Sequence, residues 1–180
     1  TQTNESDVYI NQSGSRNVGN ITQQYGQFHD ADLNQSGSRN YAELVQDNTN
    51  TTADLDQEGS RNVIDADQRN YEFTFGYAGT AYLDIYQSGD RNNASVSQDG
   101  RGQMTGIISQ NGSRNYVELS QMTPGGEGVS ESVSNYANFD QNGFKNDAFV
   151  TQSGDKINEA WVNQSGSHNS VSITQGDLAD

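Results

Sequence analysis

The chain has 180 residues, 30% of them apolar, with 24 acidic and 9 basic residues and a net charge of -15. At a mean hydropathy of -0.93, an ordinary globular core is excluded, because so little apolar surface cannot offset chain entropy. No apolar run exceeds three residues, where a membrane span needs about 20; the charge disfavours specific nucleic-acid binding; and without cysteine there are neither disulfides nor thiolate metal sites.

Residues 1–6 read as a tail. Thr1 at the start suits a chain freed of a signal peptide, or a trimmed one. The first repeat begins near Asp7. Val8 and Ile10 alternate with polar residues up to Gln12, Ser13-Gly14-Ser15-Arg16 makes a tight turn, and after Asn17 the alternation resumes with Gly19 and Ile21 as far as Gln23. Strict alternation over five to seven residues predicts strands with one buried face. The unit recurs near residues 30, 52, 82, 105, 136 and 159.

In the second copy Ala31 and Leu33 lead to Gln35, Gly37 and Asn40, then Ala42 and Leu44 to Gln46. The third runs Ala53, Leu55, Gln57, Gly59, Asn62, Ile64, Ala66, Gln68. The fourth runs Leu83, Ile85, Gln87, Gly89, Asn92, Ala94, Val96, Gln98. The fifth has Gly106, Ile108, Gln110, Gly112, Asn115, Val117, Leu119 and Gln121, and the sixth Ala137, Phe139, Gln141, Gly143, Asn146, Ala148, Val150 and Gln152. The seventh ends the series with Ala160, Val162, Gln164, Gly166, Asn169, Val171, Ile173 and Gln175, before a tail at 177–180. Of 18 glutamines, 14 sit on this grid, so the order of residues overrides a composition that by itself suggests disorder.

Strand, turn, strand, turn at about 23 residues per circuit predicts an all-β, two-sided parallel β-solenoid of seven repeats over residues 7–176. Matching residues then stack, Gln over Gln and Asn over Asn, and the buried amides can bond to one another up and down a ladder. Gln12, Gln23, Gln35, Gln46, Gln57, Gln68, Gln87, Gln98, Gln110, Gln121, Gln141, Gln152, Gln164 and Gln175, with Asn17, Asn40, Asn62, Asn92, Asn115, Asn146 and Asn169, are the expected fibre-forming ladders. Gly14, Gly37, Gly59, Gly89, Gly112, Gly143 and Gly166 are the expected turn glycines. No helix, proline cluster or charged block caps either end, so end-to-end addition of copies into a cross-β fibre is expected.

The consensus Gln-x-Gly-x-x-Asn-x-Ala-x-x-x-Gln resembles the curlin repeat. Gln12, Gly14, Asn17 and Gln23 match it in the first copy, and Gln87, Gly89, Asn92, Ala94 and Gln98 in the fourth. The curlin family implies a structural subunit of extracellular curli amyloid fibres at the bacterial surface, serving biofilm matrix and adhesion. It also implies a nucleator subunit and an outer-membrane secretion channel as partners beside the chain itself. The position six before the first Gln, often Ser in curlins, is Ser6, then His29, Thr51, Ala81, Met104, Asn135 and Asn158. A regular seventh repeat, with no Lys or Arg after Lys156, favours the major subunit over a nucleator, whose end repeats tend to be degenerate and basic. The rival class is a monomeric β-solenoid adhesin or binding module; the mixed outward positions argue against an ice binder.

Several features stand outside the grid. Arg16, Arg39, Arg61, Arg91, Arg114, Lys145 and His168 stack into a basic column, which either binds matrix polysaccharide or, as we expect, pairs with carboxylates such as Asp90 and with water. Two intervals are long, giving insertions at about 69–80, with Tyr71, Phe73, Phe75 and Tyr77, and at 122–134, with Pro124-Gly125-Gly126. Outward Asp54, Asp56, Asp65, Asp67 and Glu118 read as gatekeepers against premature aggregation, and no calcium-binding β-roll or EF-hand motif accompanies them. His29, placed in a strand, and His168, in a turn, are far apart, and the serines have no base nearby. No enzyme, no cofactor and no membrane insertion are therefore expected.

Overall fold

The computed structural model describes residues 6–24, 28–48, 50–70, 79–100, 102–123, 134–154 and 157–176. The predicted insertions, including Tyr71, Phe73, Phe75, Tyr77 and Pro124, fall largely outside these residues, as do the tails at 1–5 and 177–180. Fourteen strands are described and no helix among them. The first strand of each repeat is β1 (Tyr9–Gln12), β3 (Asp32–Ser38), β5 (Leu55–Ser60), β7 (Ile85–Asp90), β9 (Gln103–Ser113), β11 (Ser134–Phe144) and β13 (Asn158–Ser167). The second is β2 (Val18–Gln24), β4 (Tyr41–Asn48), β6 (Val63–Asn70), β8 (Asn93–Gly100), β10 (Tyr116–Thr123), β12 (Asp147–Ser153) and β14 (Ser170–Gln175).

The odd strands form one seven-stranded sheet and the even strands another, each in sequence order. Every pairing is parallel, and every grid residue lies over its counterpart: Gln12 on Gln35 and Gln57 on Gln87 in the first sheet, Gln98 on Gln121 in the second. This is a two-sided β-solenoid, each coil contributing one strand to each sheet. Register is fixed because a slip by one residue would turn every apolar side chain outward.

The inner faces meet in a thin core. Leu33, Leu44, Leu55, Ile64, Leu83, Ile85, Ile108, Leu119 and Phe139 are wholly buried, with Ala31, Ala42, Ala53, Ala66, Ala94, Ala137 and Ala148 packed among them. Large residues on one strand face small ones across the gap. A Cβ at Gly19 would meet Leu33 Cδ2 at 2.5 Å, and one at Gly106 would meet Leu119 Cδ2 at 2.9 Å. Those two glycines are cut to the size of their neighbours.

Two expectations need correction. The turn after the first Gln is not four residues long. In β3, β5, β7, β9, β11 and β13 the strand continues through the glycine, and only two residues, such as Arg39-Asn40 or Arg61-Asn62, separate it from the next strand. The ladder persists there because the coils keep bonding across the bend, as in Ser15 N to Gly37 O (2.9 Å) and Arg39 N to Ser15 O (2.9 Å). His29 also does not sit in a strand. It precedes β3, in the corner where the chain enters the first sheet, and it is buried.

Candidate functional site

The glutamines form two unbroken amide ladders, one at each turn. In the first, Nε2 of each Gln donates to Oε1 of the next: Gln12 to Gln35 (2.5 Å), Gln35 to Gln57 (2.6 Å), Gln57 to Gln87 (3.0 Å), Gln87 to Gln110 (2.7 Å), Gln110 to Gln141 (2.9 Å) and Gln141 to Gln164 (2.7 Å). The second runs through Gln23, Gln46, Gln68, Gln98, Gln121, Gln152 and Gln175 at 2.8 to 3.0 Å. In most of them the second N–H reaches a backbone carbonyl of the facing strand or corner, as from Gln87 to Val63 O (3.0 Å) and from Gln152 to Tyr136 O (3.0 Å). Gln35 through Gln141 and Gln46 through Gln152 are almost wholly buried, and a buried amide is tolerable only with its donors and acceptor filled. Both ladders are directional, since Nε2 always points toward the later coil.

The asparagines stack as expected but do not bond amide to amide. Asn62 Nδ2 donates to Glu58 O (3.0 Å) in its own turn and to Gly89 O (3.3 Å) in the next coil, and its Oδ1 accepts from the backbone N–H of Asn92 (3.0 Å). Asn40, Asn92, Asn115 and Asn146 repeat the pattern. Each of these side chains thus ties the backbone of its own turn to the backbone of the next coil. Asn169 in the last coil departs: its Nδ2, lacking a next glycine, turns to Asn146 Oδ1 at 3.0 Å.

The glycine column is required by closeness as well as by conformation. From Gly14 to Gly143, a Cβ would fall 1.9 to 2.1 Å from the carbonyl oxygen of the next coil's glycine, at φ between +95° and +123°. Only Gly166 has open space, its nearest neighbour being Asn169 Nδ2 at 3.9 Å.

The basic column follows at the bend. All seven of its members take a left-handed backbone, with φ between 54° and 61°, a conformation costing an ordinary residue about 1–2 kcal/mol. The sequence signal for this was missed, because Arg is not a residue associated with positive φ. Arg61 and Arg91 both reach Asp90 (3.9 and 3.0 Å), while Arg114 and Lys145 lie over the Phe144 ring at 5.5 and 5.1 Å. The pairing with Asp90 is as expected, and these contacts are exposed, worth about 0–1 kcal/mol each.

Asp54, Asp56, Asp65, Asp67 and Glu118 all face outward. Partial burial, then the neighbouring Asp56, Asp84, Asp32 and Asp30, raise the Asp54 carboxyl above its ordinary range. Asp84 is raised by burial and then Asp56, and Asp67 by burial, against the pull of Arg69 at 2.5 Å. Among the described residues no group of His, Asp and Glu is placed to hold a metal ion. His29 is 2% exposed with Ser6 Oγ 3.1 Å from its Nδ1, in the column that continues through buried Thr51, Ala81, Met104 and Asn135. His168 packs edge-on against Phe144 at 5.5 Å, so the two histidines belong to opposite ends of the solenoid.

The end coils differ from the rest. In the first coil the inward-facing Val8 and Ile10 are 50% and 42% exposed, whereas their counterparts in the middle coils, such as Ala53 and Leu55, are buried; the outward-facing Tyr9 and Val18 of the first coil and Ile157 and Trp161 of the last are 44% to 66% exposed. Among the described residues nothing covers either coil. Residues 82–107, the span of one repeat, match the curlin associated repeat. Neither curated proteins nor solved structures give a match to the chain.

Proposed function

The chain is a curlin-repeat protein, of a family that supplies structural subunits of extracellular amyloid fibres, and on that premise we propose that it is the major, polymer-forming subunit of such a fibre. Residues 7–176 are the assembling unit, and the Gln, Asn and Gly columns are its fibre-forming residues. One observation carries the reading: the ladders are complete inside the solenoid and, among the described residues, open at its ends. The first acceptor is Gln12 Oε1 and the last donor is Gln164 Nε2, with Gln23 and Gln175 in the same relation. A second copy set on the last coil continues both ladders, the two sheets and the core without any new kind of contact. Biofilm matrix and adhesion are the setting in which such a fibre acts. The nucleator, secretion channel and matrix polysaccharide are partners the family suggests.

The test is incubation of the freshly desalted chain at micromolar concentration, followed by negative-stain electron microscopy and fibre diffraction. Unbranched fibres with a reflection near 4.8 Å along the axis are expected. A lasting β-rich monomer would overturn the proposal in favour of a monomeric binding module.

A further inference from the structure

The outer column three residues before the first Gln runs Tyr9, Asp32, then Asp54, Asp84, Ile107, Asn138 and Trp161. Aromatic rings stand only at its two ends. Both are among the most exposed large hydrophobic side chains described, Tyr9 at 60% and Trp161 at 66%. Trp161 already has a ring beneath it: Tyr136 of the preceding coil lies 5.0 Å away, centroid to centroid, tilted by 46°. The other close ring pairs in the solenoid, Tyr116 with Phe149 (5.5 Å) and Phe144 with His168 (5.5 Å), are likewise formed between successive coils. Where outward rings of successive coils meet on this surface they stack, and among the described residues no ring follows Trp161.

We propose that the joint between two copies is an aromatic clasp, with Tyr9 of the incoming copy closing over Trp161 to give a three-ring stack on Tyr136. This rests on the end-to-end polymer reading and adds its register and polarity. Copies meeting at the normal strand spacing of about 4.8 Å bring the two Cβ atoms to the distance between successive coils. The amide ladders select the same arrangement. The last coil presents Nε2 donors at Gln164 and Gln175 and the Oδ1 acceptor of Asn169, while the first presents Oε1 acceptors at Gln12 and Gln23 and the backbone N–H of Asn17. Like ends would set donor against donor, so only unlike ends join and the fibre is polar.

Trp161 is the only tryptophan, which makes it a specific probe. The experiment follows its emission during seeded growth of the full chain, with electron microscopy of the same samples, for the parent and for Tyr9→Ala. A Tyr9→Ala/Trp161→Ala double variant and a mid-solenoid control, Tyr86→Ala, are compared by critical concentration. Circular dichroism of the fresh monomers checks folding. Expected are a blue shift of Trp161 on fibre formation that Tyr9→Ala largely abolishes, and a rise in critical concentration of roughly two- to tenfold in Tyr9→Ala. The double variant should be no worse than Tyr9→Ala alone, and the control should stay within about twofold. Fibres that form with unchanged emission, or a blue shift that survives in Tyr9→Ala, overturn the clasp and leave the polymer standing. Failure to form fibres at all overturns both.

Discussion

Replacing Gly166 by Ala should leave the monomer folded and stop the polymer, whereas the same change at Gly89 should damage the monomer itself. At Gly89 a Cβ would lie 1.9 Å from Gly112 O, with φ at +111°. Relieving that contact means opening the coil spacing by more than an ångström. The bonds beside it, Arg114 N to Asp90 O (3.0 Å) and Asn92 Nδ2 to Gly112 O (3.2 Å), then exceed hydrogen-bond range. At about 1 kcal/mol per bond and a further 1–2 kcal/mol for the left-handed backbone, Gly89→Ala costs roughly 3–4 kcal/mol. At Gly166 nothing lies within 3.9 Å and the backbone cost stands alone, about 1–2 kcal/mol. On the last coil, however, that methyl group points at the space where Gly14 of the next copy would sit. Urea unfolding of fresh monomer by circular dichroism measures the first effect. Seeded elongation measures the second, including substoichiometric addition of Gly166→Ala to growing parent fibres, which it should cap. Growth of Gly166→Ala at the parent rate would refute the stacked-glycine joint. Equal destabilisation at the two glycines would refute the steric reasoning.

The glutamine ladders predict the same ranking of middle and end. Gln87→Ala strips Gln57 Nε2 of an acceptor and Gln110 Oε1 of a donor in a dry site, for roughly 2–6 kcal/mol of monomer stability at about 1–3 per orphaned group. Gln12→Ala orphans only Gln35 Oε1 at a wet end, for about 1 kcal/mol, yet should slow elongation more per unit of stability lost; urea midpoints and seeded growth read the two separately. The raised carboxyls of Asp54, Asp67 and Asp84 predict a pH trend. The folded chain holds these protons more tightly than the unfolded one, so stability rises as pH falls from neutral into the window between the raised values and 3.8, and is lost as pH rises through it. Urea midpoints at pH 7 and pH 5 measure this. Asp54→Asn/Asp84→Asn should flatten the difference, and an unchanged slope would count against the carboxylate cluster.

Much of this molecule was legible from spacing. The eleven-residue interval from Gln35 to Gln46, with Leu33 and Leu44 each two residues before a grid Gln, defines two strands and their inward faces. Less legible was the bend. A Gly at Gly59 suggests a turn, but the strand runs through it and the reversal falls on Arg61-Asn62. A local signal cannot show that ladder bonds to the neighbouring coils on either side keep the bend extended. The role of Asn62 also escaped the sequence, because its partners, Gly89 O and Asn92 N, lie a full coil away and across an insertion.

What the sequence determined by itself was the period, the all-β class, the buried faces and the positions that must stack, because repetition turns local alternation into a global register. What only the tertiary structure decided was direction and closeness. Which way the amides point, how near one glycine's carbonyl comes to the next, and which rings meet across coils depend on coils separated by 22 to 31 residues. Those relations arise when parallel strands close to hydrogen-bonding distance, and no stretch of chain shorter than a coil contains them.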